Sequence, residues 1–124
     1  MIHLDANFLI DSLKPASRAA ILLENWIRQG ETFAASAVAW AEFLNGPARL
    51  DQIQQVEFLI QYNVVPFGQY DAKISAELFN KTGRRRGSQP DCFIAATAIT
   101  AGARLATQNQ KHFLPFVPAG LLLA

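Results

Sequence analysis

The sequence is short of the residues that many functions need. It has a single cysteine, Cys92, so no intramolecular disulfide can form and a reducing compartment is expected. It has two histidines, His3 and His112, too few for a zinc site of the usual kind. Uncharged stretches such as Thr32 to Ala41 and Cys92 to Ala103 fall far short of the ~20 apolar residues of a membrane span. The N-terminus lacks the basic region of a signal peptide, and Asp5 and Asp11 interrupt it. A soluble, cytoplasmic protein with no membrane contact is the expectation. Neither Gly-x-x-x-x-Gly-Lys-Ser/Thr nor Gly-x-Gly-x-x-Gly occurs, which removes the common nucleotide-binding loops. Charge of one sign is also missing. Eleven basic and ten acidic residues leave a net charge of +1, so bulk electrostatics do not announce nucleic acid.

What is present is apolar. The 124 residues are 51% hydrophobic and 17% charged, with no internal repeat or linker, and they read as one domain spanning 1–124. A chain this size buries roughly two-thirds of its unfolded surface and needs no staples. So apolar a composition also predicts an exposed apolar patch, and with it a partner or a dimer.

Short apolar segments alternate with helical patterns. Residues 1–4, 32–36, 63–67 and 104–107 read as strands, with a fifth inside 116–123. Helices are expected from Pro15 to about Gln29, over 37–45 behind a Ser36 cap, over 48–61, over 72–82 behind an Asp71 cap, and from Asp91 to about Ala101. Residues 83–90 are the clear loop. This alternation predicts an α/β fold, a small parallel sheet of four to five strands flanked by helices. In such sheets the functional crevice lies beyond the carboxyl ends of the strands.

Three acids stand in apolar frames. Asp5 ends the run Met1-Ile2-His3-Leu4, Glu42 lies within Ala39-Trp40-Ala41-Glu42-Phe43-Leu44, and Asp91 opens Asp91-Cys92-Phe93-Ile94-Ala95-Ala96. A carboxylate in such surroundings is costly unless something pairs with it, and few cations lie near in sequence. One shared divalent cation would answer all three, since hard cations take oxygen ligands. Each acid also has an ordinary alternative: Asp5 as a turn cap, Glu42 as a solvated helix residue, Asp91 as a first-turn acid favoured by the helix dipole. Asn7 is placed to orient the Asp5 carboxylate or simply to shape a turn. Arg84-Arg85-Arg86, just before Asp91, is either a solvated loop or a grip on phosphates. Cys92 reads as a buried structural thiol.

Four segments resemble the successive motifs of PIN domains: Leu4-Asp5-Ala6-Asn7-Phe8-Leu9-Ile10, Ser36-Ala37-Val38-Ala39-Trp40-Ala41-Glu42-Phe43, Asp91-Cys92-Phe93-Ile94-Ala95-Ala96-Thr97-Ala98, and Leu105 to Phe113. They are most similar to those of the VapC-type toxins of bacterial toxin–antitoxin pairs, and their order and spacing span nearly the whole chain. The resemblance implies a PIN-like fold and Mg²⁺- or Mn²⁺-dependent cleavage of single-stranded RNA by an endoribonuclease. It implies a small cognate antitoxin as partner and a toxin homodimer. It carries the metal-binding and catalytic acids onto Asp5, Glu42 and Asp91, with Asn109 as a further ligand directly or through water. It carries the family's small polar residue after the first acid onto Asn7; beside a metal site so placed, Thr107 reads as a supporting hydroxyl and Arg84, Arg85 and Arg86 as contacts to RNA phosphates. The chain departs from many PIN domains at Asn109, where they have aspartate, and from some at His112, where they have another acid. One ion site is thus complete and a second weaker. The rival expectation is a non-catalytic module of the same fold that binds a protein or nucleic acid.

Overall fold

The computed structural model describes all 124 residues. Five strands form one all-parallel sheet in the order β3-β2-β1-β4-β5. They are β1 (Ile2–Leu4), β2 (Phe33–Ser36), β3 (Val64–Val65), β4 (Arg104–Ala106) and β5 (Leu122–Leu123). Each is short and dominated by apolar residues, as a sheet covered on both faces requires. β1 lies at the centre, with Leu4 opposite Ala106 of β4 and His3 opposite Ala34 of β2. The chain lays β2 and β3 on one side of β1 and β4 and β5 on the other. The strand order therefore reverses at β1, the position where such sheets open a crevice.

Seven helices cover the sheet: α1 (Ala6–Ser12), α2 (Arg18–Arg28), α3 (Ala37–Leu44), α4 (Leu50–Leu59), α5 (Gln69–Lys81), α6 (Gln89–Ala101) and α7 (Gln110–Phe113), the last running into a 3₁₀ turn over Leu114–Ala119. One core joins Ile2 and Leu4 to Phe8, Leu9, Phe43 and Val56. The other joins Leu105 to Leu78, Ile94, Ala95 and Phe113. Helix α3 feeds both, through Phe43 and Ala39. Phe43 is wholly buried next to Glu42, and truncating so large a core side chain costs ~3–5 kcal/mol. The helix that presents Glu42 is therefore pinned from beneath.

The ends of the helices follow their local chemistry. Ser36 accepts a hydrogen bond from the Ala39 N–H at 3.1 Å and caps α3. Gly102, at φ 64°, takes the left-handed conformation that closes α6. Three expectations need correction. Helix α2 starts at Arg18 behind a Ser17 cap, so Pro15 stays in the preceding turn. Asp71 lies inside the first turn of α5, its carboxylate accepting from the Gly68 N–H at 2.7 Å. Helix α6 starts at Gln89, so the loop ends at Ser88 and Asp91 lies within the helix's first turn; residues 6–12 form a further short helix outside those expected from the sequence.

No helix is long and apolar enough to cross a membrane. The expected apolar patch is present. Phe58 and Tyr62, 78% and 70% exposed, border a cleft of about 620 Å³ that also takes in Leu13, Leu23 and Ile27.

Candidate metal centre

Asp5 follows the last residue of β1 and caps α1. It is 5% exposed, and its Oδ1 accepts from the Ala6 N–H at 2.8 Å. Its Oδ2 accepts from the Thr107 hydroxyl at 2.7 Å. Thr107 follows β4, the strand beside β1, so sheet register alone joins two residues 102 positions apart. The Thr107 hydroxyl also accepts from the Asn109 N–H at 3.1 Å. Asn7 does not orient Asp5 directly. Its side-chain oxygen accepts from the Gln108 N–H at 3.1 Å and lies 3.4 Å from the Thr107 hydroxyl, so it acts on the loop that holds Thr107.

Glu42 is carried by α3 and Asp91 by the first turn of α6. The electrostatics show that the three acids share one field. Burial pushes the Asp5 carboxyl above its usual range; Thr107 and the Ala6 N–H oppose this, and the Asp91 charge adds to it. Glu42 is raised by partial burial and then by the charges of Asp5 and Asp91. Asp91 is raised by burial, with His112 and Arg85 pulling it back. Neither Asp5 nor Glu42 takes part in an ion pair, and the one ion-pair partner of Asp91 is His112, Nδ1 to Oδ2 3.6 Å.

These residues fit a hard divalent cation. No lysine or arginine is ion-paired to the three carboxylates, and each is driven toward its neutral form. They do not form a finished cage: no three acid, histidine or cysteine side chains are grouped around a common point. Asp5 is fixed by two hydrogen bonds, whereas Glu42 is exposed and Asp91 half-buried, so the latter two keep rotamers with which to close on an ion.

The remaining site residues divide. Asn109 stands exposed at the start of α7, two residues from Thr107, and its side chain makes no capping bond. Arg84 is committed to α5: its guanidinium lies 5.2 Å over the Phe79 ring and donates to the Asn80 side chain. Arg85 acts on Asp91 through its charge, and Arg86 is exposed. Cys92 is 1% exposed, and burial raises its thiol. The contact of His112 with Asp91 was not foreseen. Its only local signal is the helical run 110–113, which carries it toward α6.

Thr107→Val is expected to remove the hydroxyl from Asp5 without changing side-chain volume greatly. Asp5 Oδ2 is then left buried and unpaired, and its carboxyl rises further. Loss of such a supporting partner typically weakens ion affinity about 10- to 100-fold. Calorimetric titration with Mn²⁺ checks this; affinity equal to the parent's would show that the Thr107 contact does not tune the acid.

Comparison with known proteins bears on the family and the fold. A family model described as PIN domain matches residues 2–114. The chain is 33% identical over 116 residues to Ribonuclease VapC19 of Mycobacterium tuberculosis, an alignment covering 91% of this chain and 92% of the relative. Its backbone is similar to that in a toxin–antitoxin complex from Klebsiella pneumoniae, with TM-score 0.73 and 28% identity, covering 92% and 91% of the two chains. It shares the fold of a chain in the FitAcB structure from Neisseria gonorrhoeae, with TM-score 0.74 and 22% identity, covering 99% and 96%.

Proposed function

The chain belongs to the PIN-domain family, and from that premise we propose that it is a Mg²⁺- or Mn²⁺-dependent endoribonuclease acting on single-stranded RNA, the toxin of a toxin–antitoxin pair. What supports this reading is Asp5, buried at the carboxyl end of the central strand, with the charge of Asp91 acting on it and both charges acting on Glu42, while no lysine or arginine is ion-paired to any of the three. A ribonuclease relative of nearly equal length supports the reaction class.

Asp5, Glu42 and Asp91 would hold the ion, with Asn109 contributing its amide oxygen directly or through water. When bound, a divalent ion lowers the pKa of a coordinated water and offsets charge on a phosphate. The protein's own task is placement. Thr107 holds Asp5 in one orientation, and the Asn109 N–H and Asn7 hold Thr107 and its loop. Phe43 fixes the helix beneath Glu42. No histidine is needed as a general base. Asn109 adds no charge to the ligand set, which favours one strong ion site over two.

Arg85 and Arg86 supply positive charge for flanking phosphates, with Arg84 held back against Phe79. Replacing all three by Gln is expected to weaken RNA binding and to flatten its salt dependence, since fewer counterions are released. Turnover at saturating RNA should change much less. Filter binding over a salt series, beside single-turnover cleavage, checks this; an intact salt slope with lost turnover would move the arginines into the chemistry.

The apolar cleft bordered by Phe58, Leu13, Leu23 and Ile27 supports a protein partner, and a small antitoxin is the reading that the toxin–antitoxin neighbours favour. A homodimer and a cytoplasmic location complete the proposal. The absence of a finished ion cage and the seat of His112 on Asp91 favour one rival, a binding module without catalysis. Cleavage of a mixed RNA pool by purified protein decides between them.

A further inference from the structure

A second cleft, of about 400 Å³, opens beside the crevice. Its walls are α2 and the segment from Ala106 to His112, so Thr107, Asn109 and His112 border both the cleft and the acids. We propose that this cleft is a subsite for one ribonucleotide next to the cleaved phosphate, where the base is read and so the RNA sequence is selected. The proposal rests on the ribonuclease reading of the acids and adds to it the residues that choose the substrate.

The chemistry of the walls is that of a nucleotide. Trp26 is half-buried and packs on Phe8, with ring centroids 5.6 Å apart and planes 28° apart. Backed in this way, the indole is a rigid aromatic platform, and every base has a π-face to lay on one. Arg18 and Lys111 line the same cleft, are exposed, and belong to none of the chain's ion pairs. Lys14, Arg28, Arg49 and Arg104, by contrast, each have a carboxylate partner. Two unpaired cations beside an aromatic platform suit a phosphate and its base together. Gln110, exposed on the rim, carries both a donor and an acceptor for a base edge. An acidic peptide would use the cations but would leave the indole and the amide without a role. Gln108, tied to Asp11 at 2.6 Å, sets the position of the loop rather than reading the base.

The test combines cleavage and binding. A randomised single-stranded RNA pool is cut by the parent with Mn²⁺ and by Trp26→Ala, Arg18→Gln and Gln110→Ala, and the product ends are sequenced. The parent is expected to prefer certain bases at one position beside the cut. Gln110→Ala should flatten that preference, whereas Trp26→Ala and Arg18→Gln should raise KM more than they lower kcat. Separately, the metal-free Asp91→Asn, Trp40→Phe protein keeps Trp26 as its sole tryptophan. A short oligoribonucleotide should quench its fluorescence, and Arg18→Gln should weaken that binding several-fold. If Trp26→Ala fails to fold, the Arg18 and Gln110 variants still decide. Cleavage with an unaltered preference in the variants and no quench would overturn the subsite and leave the ribonuclease reading standing. A quench without cleavage by the parent would overturn the catalytic reading and the subsite's place beside a cleaved phosphate, leaving a nucleotide-binding cleft alone. A quench by an acidic peptide of equal charge but not by RNA would overturn the subsite in favour of a protein ligand.

Discussion

Asp91→Asn is expected to abolish RNA cleavage while raising the melting temperature of the metal-free protein. The two effects share one cause. Burial drives the Asp91 carboxyl upward, and its charge in turn raises Asp5 and Glu42. Holding these three carboxylates ionised therefore opposes folding when no cation is present. The sign follows from proton binding: a carboxyl raised in the native state holds its proton more tightly there than in the unfolded chain. The stability it contributes falls as pH rises from the ordinary aspartate range through the raised native pKa, then levels off. Above the raised native pKa the full penalty is present, and the neutral amide removes it. Activity should fall by more than the ~10- to 100-fold typical of losing an outer-shell partner, since the proposal makes Asp91 a ligand itself. Asp5→Asn should be as inactive but gain less stability, because its oxygens already accept from Thr107 and Ala6. Melting curves across pH 4 to 8 beside cleavage assays read both effects. An active Asp91→Asn protein would remove Asp91 from the site, and a steeper loss of stability with pH than the parent's would refute the shared field.

Mn²⁺ or Mg²⁺ should stabilise the parent strongly and Asp91→Asn hardly at all. An ion that binds only the native state adds about 2.7 kcal/mol at a concentration one hundred times its Kd. For a domain of this size that corresponds to a rise in melting temperature of roughly 10 °C. The gain should be largest near neutral pH and shrink in acid, because ligand carboxylates must be ionised. EDTA should reverse it. A parent melting curve unmoved by millimolar Mn²⁺ would show that Glu42 and Asp91 do not close on an ion with Asp5.

The acids were legible because each breaks an apolar run. Asp5 interrupts a strand pattern, Glu42 is the lone charge between Phe33 and Leu44, and Asp91 heads an alanine-rich helix. The sheet was legible for the same reason, in short apolar strands separated by helical spacing. What escaped was whatever depends on contact across the fold. Helix α1 is short, and its cap, Asp5, reads equally well as a strand end. Helix α7 and its 3₁₀ turn hide behind Pro115 and Pro118. No local pattern tells that Thr107 will meet Asp5, or that His112 will reach Asp91. Arg84 shows the converse. In sequence it is one of three equal cations, but at φ 52° it turns onto Phe79 and leaves the exposed charge to its neighbours. The Trp26 cleft joins α2 to a loop some eighty residues away, a pairing visible only once β4 lies against β1.

The most direct measurement is the cleavage of a mixed single-stranded RNA pool by purified protein, with Mn²⁺, with EDTA, and with Mn²⁺ restored. The account predicts discrete internal cuts with the ion, none with EDTA, recovery on restoration, and no cuts by Asp5→Asn or Asp91→Asn in any arm. Cleavage that persists in EDTA or in either variant, or intact RNA in every arm, would contradict it.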